Sequence, residues 1–307
     1  MSGLENAMHL AHGESAANHI QAVTGSARCT RDLLTRGPCD ADPTRHQALR
    51  AAYWGVTDWD TGLGPELAAL PPAQPIVIWA TSAWSDQLWL WWTLDVVSRH
   101  DIARERLWWA QPRTDHPLAS AGAAPPDELR VAVTRAQPIS DAQLAGGASL
   151  WLKYADPSPL AFDQARRTGS PAFPDLSQIA EPHGYWFPRL VDGALRLSEL
   201  DESLLSSLRG DWRLPRKLMG DDRLMFPFGD SMLMRRLEEW VRQGAVERQD
   251  PGAYRLSQTG ARLLAAGLPD VAEAPSLHIG GCRVNDPTAP WVRVIDRNCW
   301  RLEQGRS

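Results

Sequence analysis

The clearest alternation of apolar and polar positions runs from Ile76 to Arg99. Ile76-Val77-Ile78-Trp79-Ala80 is an unbroken apolar run with β-branched residues, preceded by Pro71, Pro72 and Pro75, and predicts a buried strand. A polar break follows from Thr81 to Gln87. The next predicted element is a helix with Leu88, Trp91, Trp92 and Asp95 at helical spacing and Ser85 as its N-cap. Strand, polar loop and helix form half of a βαβ unit. In open parallel sheets, ligands sit in such loops at the carboxyl ends of strands.

The same pattern recurs on both sides. Met8 to Ala11 is a short apolar run that enters His12-Gly13-Glu14-Ser15 and a helix start at Ala16 to Ile20. Gly13 permits the turn and Ser15 is the expected cap. Backbone N–H groups there could hold an anion, although neither GxGxxG nor GK[ST] is present. The surroundings of Ser15 also lack GxSxG, so it is read as a cap and not as a nucleophile. Asp32 is a polar group at a strand end or in a turn, before Gly37-Pro38. Arg45 to Trp54 predicts a helix with Leu49, Ala52 and Tyr53 inward; Arg50 points into a pocket or, as favoured here, lies on the wet face. Arg104 to Ala110 predicts a strand, Leu129 to Thr134 a strand or connector, and Ser140 to Tyr154 a helix interrupted at Gly146-Gly147. Strands alternating with helices predict an α/β domain with a Rossmann-like, mainly parallel sheet over residues 1–155.

Prolines 157, 159, 171, 174, 182 and 188 mark a connector over 156–196. Beyond it, residues 197–268 predict three helices, two strands and a helix. The helices begin near Ser198, Trp212 and Gly229, the strands are Ala245–Arg248 and Tyr254–Ser257, and Thr259 to Ala266 closes the series. This is winged-helix order, and Arg235 to Leu264 is similar to the third helix and wing of bacterial winged-helix regulators. The tail, 269–307, predicts a small antiparallel sheet ending in a hairpin. Gly280-Gly281 would mark a bulge or a close backbone approach, and His278 reads as structural before catalytic.

Composition narrows the class. With 307 residues, 43% apolar and 22% charged, the chain suits one large domain or two. A net charge of -5 gives no global attraction to nucleic acid or anionic membranes. From Ser198 to Arg262 eleven basic residues meet eleven acidic ones, a net of zero, so DNA binding is not favoured. Only Lys153 and Lys217 among 32 basic residues are lysine, a bias that fits a high-GC bacterial genome. Four scattered cysteines without CxxC fit free thiols in a cytosol better than a disulfide frame. No signal-peptide pattern and no run near the ~18 apolar residues of a membrane span is seen. Seven of the fifteen tryptophans fall between Trp79 and Trp109, either as core or as an aromatic wall for a planar ligand.

Several short motifs resemble a bacterial family, the domain of unknown function 1835. Its strand followed by G-D-S resembles His12-Gly13-Glu14-Ser15, with Glu14 in place of aspartate. Its D-x-L-x-x-G-P resembles Asp32 to Pro38, with one extra residue. Its arginine-bearing helix resembles Leu49 to Trp54, and its D-Q-L helix start resembles Asp86-Gln87-Leu88. The ending also resembles His278-Ile279-Gly280-Gly281 and Trp291, without the family's final W-D. The resemblance covers about the first 110 residues and, more loosely, the last 100. It implies a fold and no activity.

The expectation is a cytoplasmic bacterial protein whose α/β domain binds a small anionic or nucleotide-like ligand, with turnover left open. Its site would comprise His12, Gly13, Glu14, Ser15, Asp32, Gly37, Arg50 and Gln87. Asp86, desolvated against Trp84, would be the candidate general acid or base. No metal site is expected and no cofactor is specified. The alternative is a ligand-sensing transcriptional regulator or adaptor acting through the winged helix.

Overall fold

A computed structural model describes residues 4, 6–57, 59, 62–116, 119–219, 230–271, 274–296 and 299–305. The chain divides into two compact units, 1–180 with 280–282, and 181–279 with 283–307. The division falls inside the proline-rich stretch, most of which folds: much of the expected connector is helix or strand.

In the first unit the chain runs β1 (Met8–His12), α1 (Glu14–Thr24), β2 (Arg28–Thr30), β3 (Gly37–Pro38), α2 (Pro43–Trp54), α3 (Leu63–Ala68) and β4 (Ile76–Trp79). It continues with α4 (Trp84–Arg99), β5 (Leu107–Ala110), α5 (Pro126–Thr134), β6 (Gln137–Pro138), α6 (Asp141–Tyr154), α7 (Leu160–Thr168) and α8 (Leu176–Ile179). Five strands form one sheet in the order β2-β1-β4-β5-β6, parallel except for β6. The fold is therefore α/β with a mainly parallel sheet. The chain leaves β1 toward β2 and returns to β4 on the other side of β1. The order thus reverses between β1 and β4, which makes the mouth between them the topological switch point.

The central strands are apolar on both faces because helices cover both. Ala11, Val77, Trp79 and Ala110 share a face and pack in one cluster with Ala16, Ile20, Leu129 and Ala132 of α1 and α5. On the alternate face Leu10, Ile76 and Ile78 are equally buried, and Trp109 meets Phe173 at 6.5 Å. Phe173 belongs to an aromatic cluster with Trp84, Trp91, Tyr154 and Phe162. Those indoles are core. Trp92, half-buried, is not part of it.

Several expectations are corrected. Leu129 to Thr134 is helical: Pro126 starts α5, Asp127 and Glu128 fill its first turn, and Leu129 with Ala132 forms the buried stripe. Only Leu107 to Ala110 of the expected Arg104 strand is extended; Arg104 to Arg106 is a 3₁₀ turn. The α6 helix is not interrupted. Ser140 and Gln143 close a capping box, and Gly147 lets α4 approach, because a Cβ there would stand 2.4 Å from Leu94 Cδ1. Ser85 and Ser15 do not cap; Ala83 and Gly13 precede the helices, and neither start has a side-chain cap. Gly280 and Gly281 mark a close backbone approach: a Cβ on either would lie 2.1 Å from the Tyr154 or Ala155 carbonyl oxygen.

The second unit begins with a 3₁₀ segment over Glu181–Trp186, then β7 (Arg189–Val191), β8 (Ala194–Arg196), α9 (Glu199–Ser207), α10 (Pro215–Leu218) and α11 (Asp230–Arg242). It continues with β9 (Val246–Gln249), β10 (Ala253–Leu256) and α12 (Gln258–Ala266). The tail carries β11 (His278–Gly280), β12 (Cys282–Arg283), β13 (Trp291–Asp296) and β14 (Cys299–Gln304). The helix expected from Trp212 to Met219 shortens to one turn at Pro215. Gly229, the expected opening residue of the third helix, lies outside the described residues; the helix itself is α11 from Asp230. In the tail, β13 pairs antiparallel with β14 and parallel with β7, giving a mixed sheet β14-β13-β7-β8. Among the described residues no helix is long and apolar enough to cross a membrane.

Replacing Gly147 by Val should cost about 1–3 kcal/mol, the usual penalty for overfilling a packed contact. Urea unfolding of the purified variant measures it; an unchanged midpoint would mean that α4 and α6 have room to part.

Candidate functional site

At the switch point three loops are tied by charged side chains. His12 ends β1, Asp86 lies in the first turn of α4, and Asp32 follows β2. His12 Nε2 donates to the Asp32 carbonyl at 2.8 Å, and Nδ1 stands 3.3 Å from Asp86 Oδ1. With Nε2 occupied as a donor, a neutral ring would turn its Nδ1 lone pair toward a carboxylate. The imidazolium is the form that satisfies both contacts. Burial lowers the His12 pKa, but the hydrogen bond and charge of Asp86 outweigh it and the net shift is upward. Trp89 stacks on the ring, with centroids 6.0 Å apart and planes at 14°.

Asp86 is wholly enclosed. Its Oδ2 accepts from the Thr81 N–H and hydroxyl, both at 3.0 Å, and from the Ala121 N–H at 2.9 Å. Asp86 thus fastens the loop after β4 and the segment after β5 to the rim. Gln87 beside it is equally buried and donates to the Thr81 carbonyl at 2.6 Å. At the expected acid–base residue the side chain is 0% exposed and both carboxylate oxygens are engaged, the arrangement of a structural tie.

Asp32 is held from the other side by Arg50. The guanidinium makes a two-pronged contact, Nε to Oδ2 at 2.9 Å and Nη2 to Oδ1, and also donates to the carbonyls of Arg36 at 2.6 Å and Leu33 at 2.9 Å. Trp54 Nε1 adds a 3.4 Å bond to Asp32 Oδ1. Burial raises the Asp32 carboxyl and Arg50 opposes it; Asp32 in turn holds the guanidinium above its ordinary value against burial. The buried residues of α2 are therefore His46 and Arg50, with Tyr53 and Trp54 half-buried beside them, while Leu49 is 38% exposed and Ala52 is exposed. This overturns the expected inward Leu49 and Ala52 and the wet-face Arg50, while Tyr53 stays half-buried as part of the inner side. An apolar-in rule rotates α2 the wrong way, because the partner waiting inside is a carboxylate. Gly37 is required where it stands: its φ is +87°, and a Cβ would meet Arg50 Nη1 at 2.6 Å.

The rim loop Gly13 to Ser15 joins this network only through His12. The Gly13 N–H, expected to hold an anion, donates to the Thr30 carbonyl at 2.8 Å. Glu14 is exposed and pairs with Arg31 at 2.8 Å, and Ser15 is also exposed. The structure thus brings together His12, Asp32, Gly37, Arg50, Asp86 and Gln87, and leaves Glu14 and Ser15 at the surface.

A cavity of about 150 Å³ opens beside this brace, between α2, α3, the C-terminal half of α4, and α6. Its chemistry comes from Asp40, His46, Trp92, Asp95, Arg99 and Trp151. Thr44 and Gln47, exposed on α2, stand at its mouth. His46 joins the cavity to the brace. Its Nδ1 accepts from the Asp40 N–H at 3.3 Å, so Nε2 carries the proton, and Nε2 stands 3.9 Å from Asp32 Oδ2, too far for a hydrogen bond. Burial, with Arg50 adding to it, pushes the His46 pKa down to about 3. The edge of Trp151 meets its ring at 5.3 Å. Asp95, 6% exposed, gives Oδ2 to Arg99 at 2.7 Å, and burial raises its pKa against that pairing. Sequence reasoning placed Trp92 and Asp95 on the helix but not in a site. The available signal was their i, i+3 spacing at the end of α4.

A scan against protein-family models finds no match, and a search of curated proteins returns none.

Two outcomes test this geometry. Arg50→Met should lose about 3–5 kcal/mol in urea unfolding, since it strands a buried carboxylate, and adding Asp32→Leu should restore at least half of that. A double variant no more stable than Arg50→Met would mean that the pair does not act as a unit. For His46 the folded pKa lies below its unfolded value near 6.5, so the folded state resists protonation and stability falls on acidification. From pH 6.5 toward about 3, the stability of the wild type relative to His46→Asn should fall by about 1.4 kcal/mol per pH unit. A pH-independent difference would mean that His46 is solvated.

Proposed function

We propose that the α/β unit binds a small, nucleobase-like molecule in the cavity between α2, α3, α4 and α6. The observation that carries this reading is the position of the cavity. It opens on His46, and His46 lies against Asp32, the carboxylate that fixes the rim of the sheet. A void walled by indoles and bordered by a few oriented polar groups is the usual form of a small-molecule site. The rim supports a bracing role: its carboxylates and guanidinium are spent on one another, so the reading is binding without turnover. Anion capture at Gly13 is not part of it, since that amide is already engaged.

The second reading, an adaptor or regulator in the bacterial cytosol, draws support from unit two. The order α9, α10, α11, β9, β10, α12 supports a winged-helix reading of this unit. Its basic groups speak for protein contact over DNA. Arg236 is buried on Asp201, and the wing arginines are paired, Arg248 with Glu238 at 3.1 Å and Arg255 with Glu247. On the wing these pairs offset the positive charge that would displace phosphate counterions. The order of the motifs at His12, Asp32, Arg50 and Asp86 supports membership of the domain-of-unknown-function 1835 family, which assigns no activity.

A thermal-shift screen of nucleosides, nucleobases and aromatic amines against the full chain tests the first reading, with Gln47→Trp as a plug in the cavity mouth. Stabilisation in the wild type that disappears in Gln47→Trp is expected. RT ln(1 + [L]/Kd) gives about 2.7 kcal/mol at a hundredfold excess over Kd. Hits that survive the plug would place the ligand elsewhere.

A further inference from the structure

We infer that the cavity selects a planar nitrogen heteroaromatic carrying amino donors, neutral or cationic, over an acceptor-rich or anionic ring. This rests on the binding reading above and narrows it to a ligand class.

The acidic groups of the cavity are Asp40 and Asp95, and Thr44, Gln47 and His100 add side chains that can donate as well as accept. Asp40 uses Oδ1 for the Asp42 N–H at 2.8 Å and the Arg45 guanidinium at 3.1 Å, and Oδ2 takes no hydrogen bond among the described residues. Asp95 gives Oδ2 to Arg99, and its Oδ1 likewise takes none. Two carboxylate oxygens therefore remain for donors. The arginines are tied to these acids: Arg99 donates Nε to Asp95 and Nη2 to the Ala41 carbonyl at 2.9 Å, and Arg45 is held by Asp40. His46 is neutral and its protonated nitrogen faces Asp32. A phosphate or carboxylate entering here would meet the carboxylates of Asp40 and Asp95, whose nearest arginines are already paired with them. Such like-charge placement is strongly unfavourable in a partly desolvated site.

Shape points the same way. Trp92 is half-buried and presents indole surface, and Trp151 closes the wall behind His46. A volume on the order of 150 Å³ admits a benzene-sized ring. A flat ring laid on Trp92 satisfies the apolar wall, while exocyclic amines at its edge satisfy Asp40 and Asp95. An amine facing an ionised carboxylate forms the stronger, charge-assisted kind of hydrogen bond. A carbonyl at the same ring position faces an acceptor with an acceptor, and both are left unsatisfied.

The matched probes are 2,6-diaminopurine and xanthine, which place amines and carbonyls at the same ring positions. Titration calorimetry with the full chain, backed by tryptophan fluorescence, is expected to show diaminopurine binding at least tenfold tighter. Asp95→Asn, and separately Asp40→Asn, should each shrink that preference by about tenfold. Circular-dichroism melting confirms folding, and two independent carboxylate variants guard against loss of one. Gln47→Trp should abolish binding of both purines. Equal or tighter binding of xanthine, still blocked by Gln47→Trp, would overturn the donor-selective inference and leave the binding site standing. Binding that ignores Gln47→Trp, or no binding by either purine or any member of the wider screen, would overturn the inference and the site together.

Discussion

The first unit depends on a buried charge being matched inside the protein. Removing a carboxylate and a guanidinium from water costs several kcal/mol each, and only close, oriented pairing recovers it. Asp32 and Arg50 meet in the two-pronged geometry that planar guanidinium allows, and the remaining N–H groups of Arg50 are spent on loop carbonyls. One side chain on α2 therefore dictates the path of residues 32–38. His12 extends the constraint to Asp86, and Asp86 extends it to Thr81 and Ala121. The loops after β1, β2, β4 and β5 become one polar frame at the mouth of the sheet.

That frame explains why the switch point is not itself the open site. The general rule locates ligands where strand order reverses. Here the chain's own carboxylates and amides occupy the space. What remains open lies one helix further out, behind α2, where His46 stands one turn before Arg50 and shares the same buried face. The cavity inherits its rigidity from the brace: α2 cannot shift without breaking the Asp32 pair.

How much of this was legible in the sequence follows from what each residue packs against. The Ile76 to Trp79 strand was plain because parallel strands are apolar on both faces. The three rim loops were found from strand ends and turn residues, and His12, Asp32 and Asp86 do converge. The orientation of α2 was hidden because its inward face is polar: His46 and Arg50 are buried while Leu49 is exposed. Leu129 to Thr134 misled for a related reason. A β-branched run looks extended until Pro126, Asp127 and Glu128 are recognised as a helix start. The cavity could not be read at all, since its walls come from four helices and no short motif spans them.

The second unit repeats the device. On α11, Arg236 grips Asp201 with both prongs and Trp240, four residues on, donates Nε1 to Asp201 Oδ1 at 2.9 Å. On α2, Arg50 and Trp54 hold Asp32 in the same way, again four residues apart. In both cases the guanidinium also lies over the indole, at 5.7 Å for Arg50 and 5.3 Å for Arg236. The spacing is a consequence of helical geometry, which places i and i+4 on one face. Lysine could not substitute: its ammonium offers neither the fork nor the flat surface that the indole needs. An arginine followed four places later by tryptophan on a helix can therefore mark a buried anchor. Counted as surface charge, Arg236 would overstate the basic character of α11; buried on Asp201, it belongs to the core of the second unit.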